Sequence, residues 1–134
     1  MNKEELIKLL EELNFPKEKF YILSSGCLTF YGIRDGAKDL DLCITEELFD
    51  QIKDKYGLTE GNKNECGFYK INDLVEVVVD SLEEFAGHFD IKDGYQVQKL
   101  EIIKRDKEKR GLPKDLADVA RIEEYIKARA GQDR

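Results

Sequence analysis

The sequence predicts an α+β protein in which helices pack against a mixed, largely antiparallel sheet. Three observations lead there. Apolar residues recur with helical spacing in several segments, short β-branched or aromatic runs stand between those segments, and Asn72-Asp73 and Asp93-Gly94 join runs close enough to pair as hairpins. A length of 134 residues suits a single domain, with 41% hydrophobic residues for a core and 38% charged residues for the exterior.

The elements follow in order. Asn2 and Glu5 have the spacing of a capping box, opening a helix through about Leu13 with Leu6, Ile7, Leu9, Leu10 and Leu13 on its apolar side. Pro16 stops any helix arriving from there. Phe20 to Leu23 reads as a short strand, Ser25 to Tyr31 as a short helix, Leu40 to Ile44 as a strand and Glu46 to Tyr56 as a helix. Gly57, Gly61, Asn62 and Asn64 mark a loop. Gly67 to Ile71 and Val75 to Val79 are then strands joined through Asn72-Asp73. Ser81 with Glu84 is a second capping-box signal, for a helix to about His88, and Asp93-Gly94 is a tight turn between short strands. Helices from about Val97 to Lys109 and from Lys114 to Ala128 close the chain, separated by Gly111-Leu112-Pro113. Asp115 and Asp118 fall early in the last helix, where acids suit the helix dipole. The expected domain spans 1–134, with its core at about 20–80 and its C-terminal helices at about 97–128.

Composition excludes several classes. A net charge of −7 argues against broad nucleic-acid binding, which depends on many Lys and Arg contacts to phosphate. The segment Lys99 to Lys114 is nonetheless +4, against −11 for the remainder. It could face a polyphosphate or an acidic partner, but Lys104/Glu108 and Asp106/Arg110 have the i,i+4 spacing of a solvated helix face. No apolar run is long enough to span a bilayer and the amino terminus lacks a leader pattern, so a cytoplasmic protein is expected. Cys27, Cys43 and Cys66 lack zinc-like spacing and are expected to be free thiols. His88, the single histidine, is expected to pack at a helix end or face solvent.

The candidate chemistry lies in Ser24-Ser25-Gly26 and in Asp39-Leu40-Asp41-Leu42, which begins thirteen residues after Gly26. If a strand continues through both acids, Asp39 and Asp41 project to one face. Adjacent carboxylates oppose each other's ionisation unless a cation lies between them, and hard cations such as Mg²⁺ prefer oxygen ligands. Glu76 supplies a third carboxylate within the apolar run Leu74 to Val79, where its burial cost would be relieved by coordination. A solvated strand face that alternates acids with aliphatics would also produce Asp39 and Asp41.

The run Tyr21 to Arg34 followed by Lys38-Asp39-Leu40-Asp41-Leu42 resembles the core of the minimal nucleotidyltransferase superfamily, the DNA polymerase β-like fold. That family has a strand ending in a Gly-Gly or Gly-Ser turn, a short helix closing on a Tyr-Gly-like corner, a strand with Asp-x-Asp, and a third acid on a later strand. The resemblance covers about residues 20–80, is closest to small bacterial members, and has a weaker echo in Leu112 to Asp118. It implies the same α+β architecture and makes Asp39, Asp41 and Glu76 catalytic ligands of Mg²⁺ or Mn²⁺. It implies a nucleoside triphosphate as substrate, with Ser24, Ser25, Gly26, Lys38 and Lys114 as nucleotide-binding candidates. Arg34 and Lys38 are near enough in sequence to reach phosphate oxygens, although both are expected to be exposed charges near the Asp35-Gly36 turn.

Aligned on Tyr31-Gly32, Ser24 takes the position of the family's first glycine, and Gly26 falls one residue late. Two functions therefore stand side by side. One is transfer of a nucleoside monophosphate to an unknown acceptor, with a homodimer or a partner completing the cleft. The other is a catalytically silent fold that binds a protein partner, as in a toxin/antitoxin component. A third reading, a structural domain with solvated acids, predicts no ligand response from Asp39 or Asp41.

Overall fold

The computed structural model describes residues 1–81 and 85–132, and the side chains of residues 131 and 132 are outside the description. Two units are distinguished, Met1–Gln98 and Lys99–Arg134.

The first unit is α+β. Helix α1 (Lys3–Leu13) opens on the expected capping box, with both reciprocal Asn2–Glu5 bonds present. It ends at Asn14, whose φ of 54° is left-handed, so the helix closes before Pro16 has any effect. Strand β1 (Phe20–Ile22) leads into α2 (Ser24–Phe30), and β2 (Leu40–Thr45) leads into α3 (Glu46–Tyr56). The Thr45 hydroxyl caps α3 by accepting from Leu48 N–H. Strands β3 (Tyr69–Lys70) and β4 (Val75–Asp80) form the Asn72-Asp73 hairpin, in which Asn72 Oδ1 accepts from the N–H groups of Leu74 and Val75. The second hairpin, β5 (Phe89–Lys92) with β6 (Tyr95–Gln98), turns at Asp93 and Gly94, both at positive φ. Within the helix expected from Ser81 to His88, residues 82–84 lie outside the described residues.

These strands form one six-stranded sheet in the order β3-β4-β2-β1-β6-β5. It is mixed: β1 runs antiparallel to β2 but parallel to β6, and β2 runs parallel to β4. Strand alternation gives the sheet two different faces. Phe20, Ile22, Leu40, Leu42, Ile44, Val75 and Val77 share the fully buried face, on which α2 packs. The opposite face carries Tyr21 and Cys43, which form a smaller apolar cluster with Phe85, and it also carries Asp41 and Glu76.

Gly26 is required by this packing. A Cβ there would lie 2.8 Å from Ile22 Cγ2 and 3.4 Å from Leu40 Cδ1, both on fully buried side chains. Gly36 meets a similar constraint from Met1 O, 2.7 Å from its would-be Cβ, and the adjacent Ala37 N–H donates to that same carbonyl. The chain start thereby ties down the segment leading into β2.

The second unit is a pair of helices, α4 (Leu100–Arg110) and α5 (Pro113–Gln132), joined at Gly111 with a φ of 66°. The start expected at Val97 is displaced because Val97 is in β6, paired with Ile22. The pair encloses charge: buried Lys107 lies 3.0 Å from Asp118 Oδ2 and 3.8 Å from Asp115 Oδ1. Arg110 and Arg121 reach the same two acids from outside, and Lys104 pairs with Glu123 on the facing helix. A solvated-face reading thus holds for Arg105, Glu108 and Lys109, which are exposed, but not for Lys107. Asp115 and Asp118, expected as dipole partners, are buried ligands of that lysine.

Gly26→Ala is expected to destabilise the protein by about 1–2 kcal/mol in urea unfolding. Overpacking against a β-branched, fully buried neighbour costs about 1–3 kcal/mol and exceeds the helix-propensity gain of at most about 1 kcal/mol. A more stable variant would contradict the packing role.

Candidate metal and nucleotide site

The backbone brings the turn into α2, Asp41 and Glu76 to one end of the sheet. Leu23 N–H donates to Asp41 O at 2.9 Å, so the turn into α2 abuts the beginning of β2. Asp41 is the register partner of Glu76 on the parallel strand β4. Asp39 lies one residue before β2 and is exposed, so the strand does not itself aim it alongside Asp41. Its charge still reaches the site. Burial, then the charges of Asp39 and Glu76, push the Asp41 carboxyl up to about 6. Asp41 Oδ1 is a buried oxygen without a hydrogen-bond partner.

An orphaned carboxylate oxygen between two further acids is a costly arrangement that one hard cation would relieve. The donor set is all oxygen, which fits Mg²⁺ or Mn²⁺. Among the described residues, no group of three or more His, Cys, Asp or Glu side chains is already arranged to hold a metal ion. Asp39 is exposed and Glu76 half-buried, while Asp41 is held within β2.

The turn is built differently from a backbone phosphate cradle. Ser24 has a φ of 37°, unusual for a residue with a side chain, and its N–H donates to Gln98 Oε1 at 3.1 Å. Gln98 also accepts through its carbonyl from Cys27 Sγ at 3.1 Å. Gly26 is buried, with no room for a side chain against Ile22 and Leu40. Ser25 accepts from Arg34 Nη1 through its hydroxyl and from Thr29 Oγ1 through its carbonyl. Arg34, expected as an exposed charge, is therefore half-buried against the turn, whereas Lys38 is exposed. Lys114 lies exposed in the second unit.

Gln98 was not recognisable from the sequence. It belongs to no motif, and its partner Ser24 is 74 residues away. Farther along the carboxylate-bearing face, the Cys43 thiol donates to Asp80 Oδ2 at 3.2 Å. Burial, followed by hydrogen bonding to Cys43, pushes the Tyr21 phenol well above its ordinary range. Tyr21 and Cys43 belong to the apolar cluster on that face. All three cysteines are free, with Cys27 and Cys43 buried and Cys66 exposed. A cavity of about 390 Å³ lined by Leu13, Phe15, Pro16, Ile52 and Tyr56 lies with the helices and includes none of the candidate acids.

No family model, curated protein or solved structure matches this chain. Among the described residues, no helix is long and apolar enough to cross a membrane.

The raised Asp41 carboxyl gives a stability test with a definite sign. The folded chain holds this proton up to about pH 6, whereas the unfolded chain releases it near the ordinary value of 3.8. The favourable contribution is therefore complete below that lower value and is lost as pH rises through about 6. Asp41→Asn is expected to gain about 1–2 kcal/mol over the wild type at neutral pH, after allowance for solvent screening, and nothing near pH 4. Chemical unfolding across this range, in metal-free buffer, would show the difference. A gain independent of pH would contradict the electrostatic account.

Proposed function

We propose that this protein is a metal-dependent nucleotidyltransferase that moves a nucleoside monophosphate from a nucleoside triphosphate to an acceptor. The observation that carries this reading is Asp41, whose buried, unpartnered oxygen stands opposite Glu76 with Asp39 nearby. Asp39, Asp41 and Glu76 would hold Mg²⁺ or Mn²⁺. Such an ion, when bound, offsets charge on phosphate oxygens and lowers the cost of displacement at phosphorus.

The chain's own residues supply the remainder. Asp41, fixed in β2, anchors the acids, and its ionised form predominates above about pH 6. Glu76 stands on the neighbouring strand, half-buried, where a carboxylate can accept the proton of an attacking hydroxyl. The Ser25 hydroxyl and the charges of Arg34 and Lys38 belong to the same end of the chain's fold and would favour a phosphate-bearing ligand. A second protomer or another protein would contribute the acceptor side of the cleft.

A second reading, a catalytically silent partner-binding module of the toxin/antitoxin kind, is favoured by one observation. The Ser24 N–H that a backbone cradle would offer is already bonded to Gln98, and Gly26 is sealed in the core.

Calorimetric titration with ATP, CTP, GTP and UTP, with and without Mg²⁺, separates the two. The transferase reading expects Mg²⁺-dependent heat with at least one nucleotide, weakened tenfold or more in Asp41→Asn, since a charged ligand contact contributes about 1.5–3 kcal/mol. No metal-dependent heat with any nucleotide would remove the transferase and leave the partner-binding module.

A further inference from the structure

Strand β5 ends the sheet: β6 pairs with it on one side and, among the described residues, no strand lies on the other. The opposite edge is closed differently, since β3 has two residues and Tyr69 also bridges to Lys63. Open edges are commonly blocked by proline, a bulge or charge. β5 has neither proline nor bulge, because Phe89-Asp90-Ile91-Lys92 pairs without interruption from Phe89↔Gln98 to Lys92↔Tyr95, and its two charges are of opposite sign. Ile91 is 64% exposed, although it shares a face with Phe89, whose ring centre lies 5.7 Å from that of Tyr21.

The turn fixes which backbone groups are open. Asp93 and Gly94 both have positive φ, the geometry of a two-residue hairpin turn, so Lys92 and Tyr95 form a hydrogen-bonded pair. An antiparallel ladder alternates, which puts Asp90 and Val97 in the next bonded pair and turns the N–H and C=O of Phe89 and Ile91 away from β6. An antiparallel second copy of β5 can therefore be centred on Phe89, Asp90 or Ile91. Centring on Phe89 sets Ile91 against Gly87, which lies outside the strand, and centring on Asp90 sets two carboxylates against each other. Centring on Ile91 sets each Asp90 opposite Lys92 of the other copy, at the non-hydrogen-bonded positions where side chains approach most closely, and brings the two exposed isoleucines together. Among the described residues neither Asp90 nor Lys92 is in an ion pair, whereas Asp93 is held by Lys3. Lys92 Nζ lies 5.8 Å from the centre of the Tyr31 ring.

We propose that β5 is a self-association edge, which pairs antiparallel with β5 of a second copy of this chain about a two-fold axis at Ile91. The contact is isologous, so each Asp90–Lys92 pair occurs twice and charge selects the register. The sheet becomes continuous across two protomers, and Ile91 joins them on the face that carries Asp41 and Glu76. The inference goes beyond the transferase reading and stands without it.

Sedimentation velocity over a concentration series tests this with the full chain as wild type, Asp90→Lys, Lys92→Asp and an equimolar mixture of the two variants, each checked for folding by circular dichroism. The expected result is a concentration-dependent dimer in the wild type and a dimer affinity lower by about tenfold or more in each variant alone, because each sets like charges opposite each other twice. The mixture restores opposite charges at both contacts and should recover the dimer. Ile91→Pro, which removes an N–H directed away from β6, should weaken the dimer likewise and keeps the test valid if a charge variant fails to fold. Amide exchange followed by NMR reads the register, since the Ile91 N–H should be protected in the wild-type dimer and exchange faster in each variant alone. A wild type that stays monomeric up to about 1 mM overturns the inference and leaves the edge to a strand of another protein. A dimer whose affinity none of the substitutions changes also overturns it, because the interface then lies elsewhere. A mixture no more associated than its separate components overturns it as well, because Asp90 and Lys92 then do not face each other.

Discussion

Strand β2 lies in the interior of the sheet, between antiparallel β1 and parallel β4, and its alternation constrains everything around it. Leu40, Leu42 and Ile44 are fully buried, which fixes the face turned to the helices and leaves no freedom in register. Because side chains alternate, the same burial turns Asp41 to the opposite face beside Glu76. A slip of one residue would drive Asp41 into the apolar layer and expose the leucines. The position of the carboxylates is thus maintained by the hydrophobic core rather than by hydrogen bonds of their own, and the orphaned Asp41 oxygen is the consequence.

The turn before α2 obeys the same logic. Its backbone is anchored on β2 through Leu23 and on β6 through Gln98, while Gly26 allows α2 to approach Ile22 and Leu40 closely. An anchored turn cannot lend every N–H to a ligand. Arg34 and Ser25 bond to each other through their side chains at that position, and the close packing of Gly26 in the core accounts for the displaced glycine. In the helical pair, Lys107 with Asp115 and Asp118 is a further case of charge committed to architecture.

Local patterning made much of this legible. The Asn2/Glu5 capping box, helix α3, the Asn72-Asp73 hairpin and the Asp93-Gly94 turn depend on short-range geometry and stand where their residues indicate. The Asp41–Glu76 pairing was accessible through two apolar strands, each interrupted by an acid. Asp39 differs because alternation was extended one residue beyond the strand, and the chain bends there instead. Gln98, the orientation of Arg34 and the burial of Lys107 were hidden for another reason. Each depends on contacts made only after distant or separate elements come together, and none of these residues carries an unusual local pattern.

The most direct measurement is the titration of the Asp41 carboxyl by ¹³C NMR, with and without Mg²⁺. The account predicts a midpoint at about 6 in metal-free buffer. It also predicts that saturating Mg²⁺ moves this midpoint down by about one unit or more, because a bound cation favours the ionised form. An ordinary carboxyl midpoint that does not respond to Mg²⁺ would contradict a cation site at Asp41.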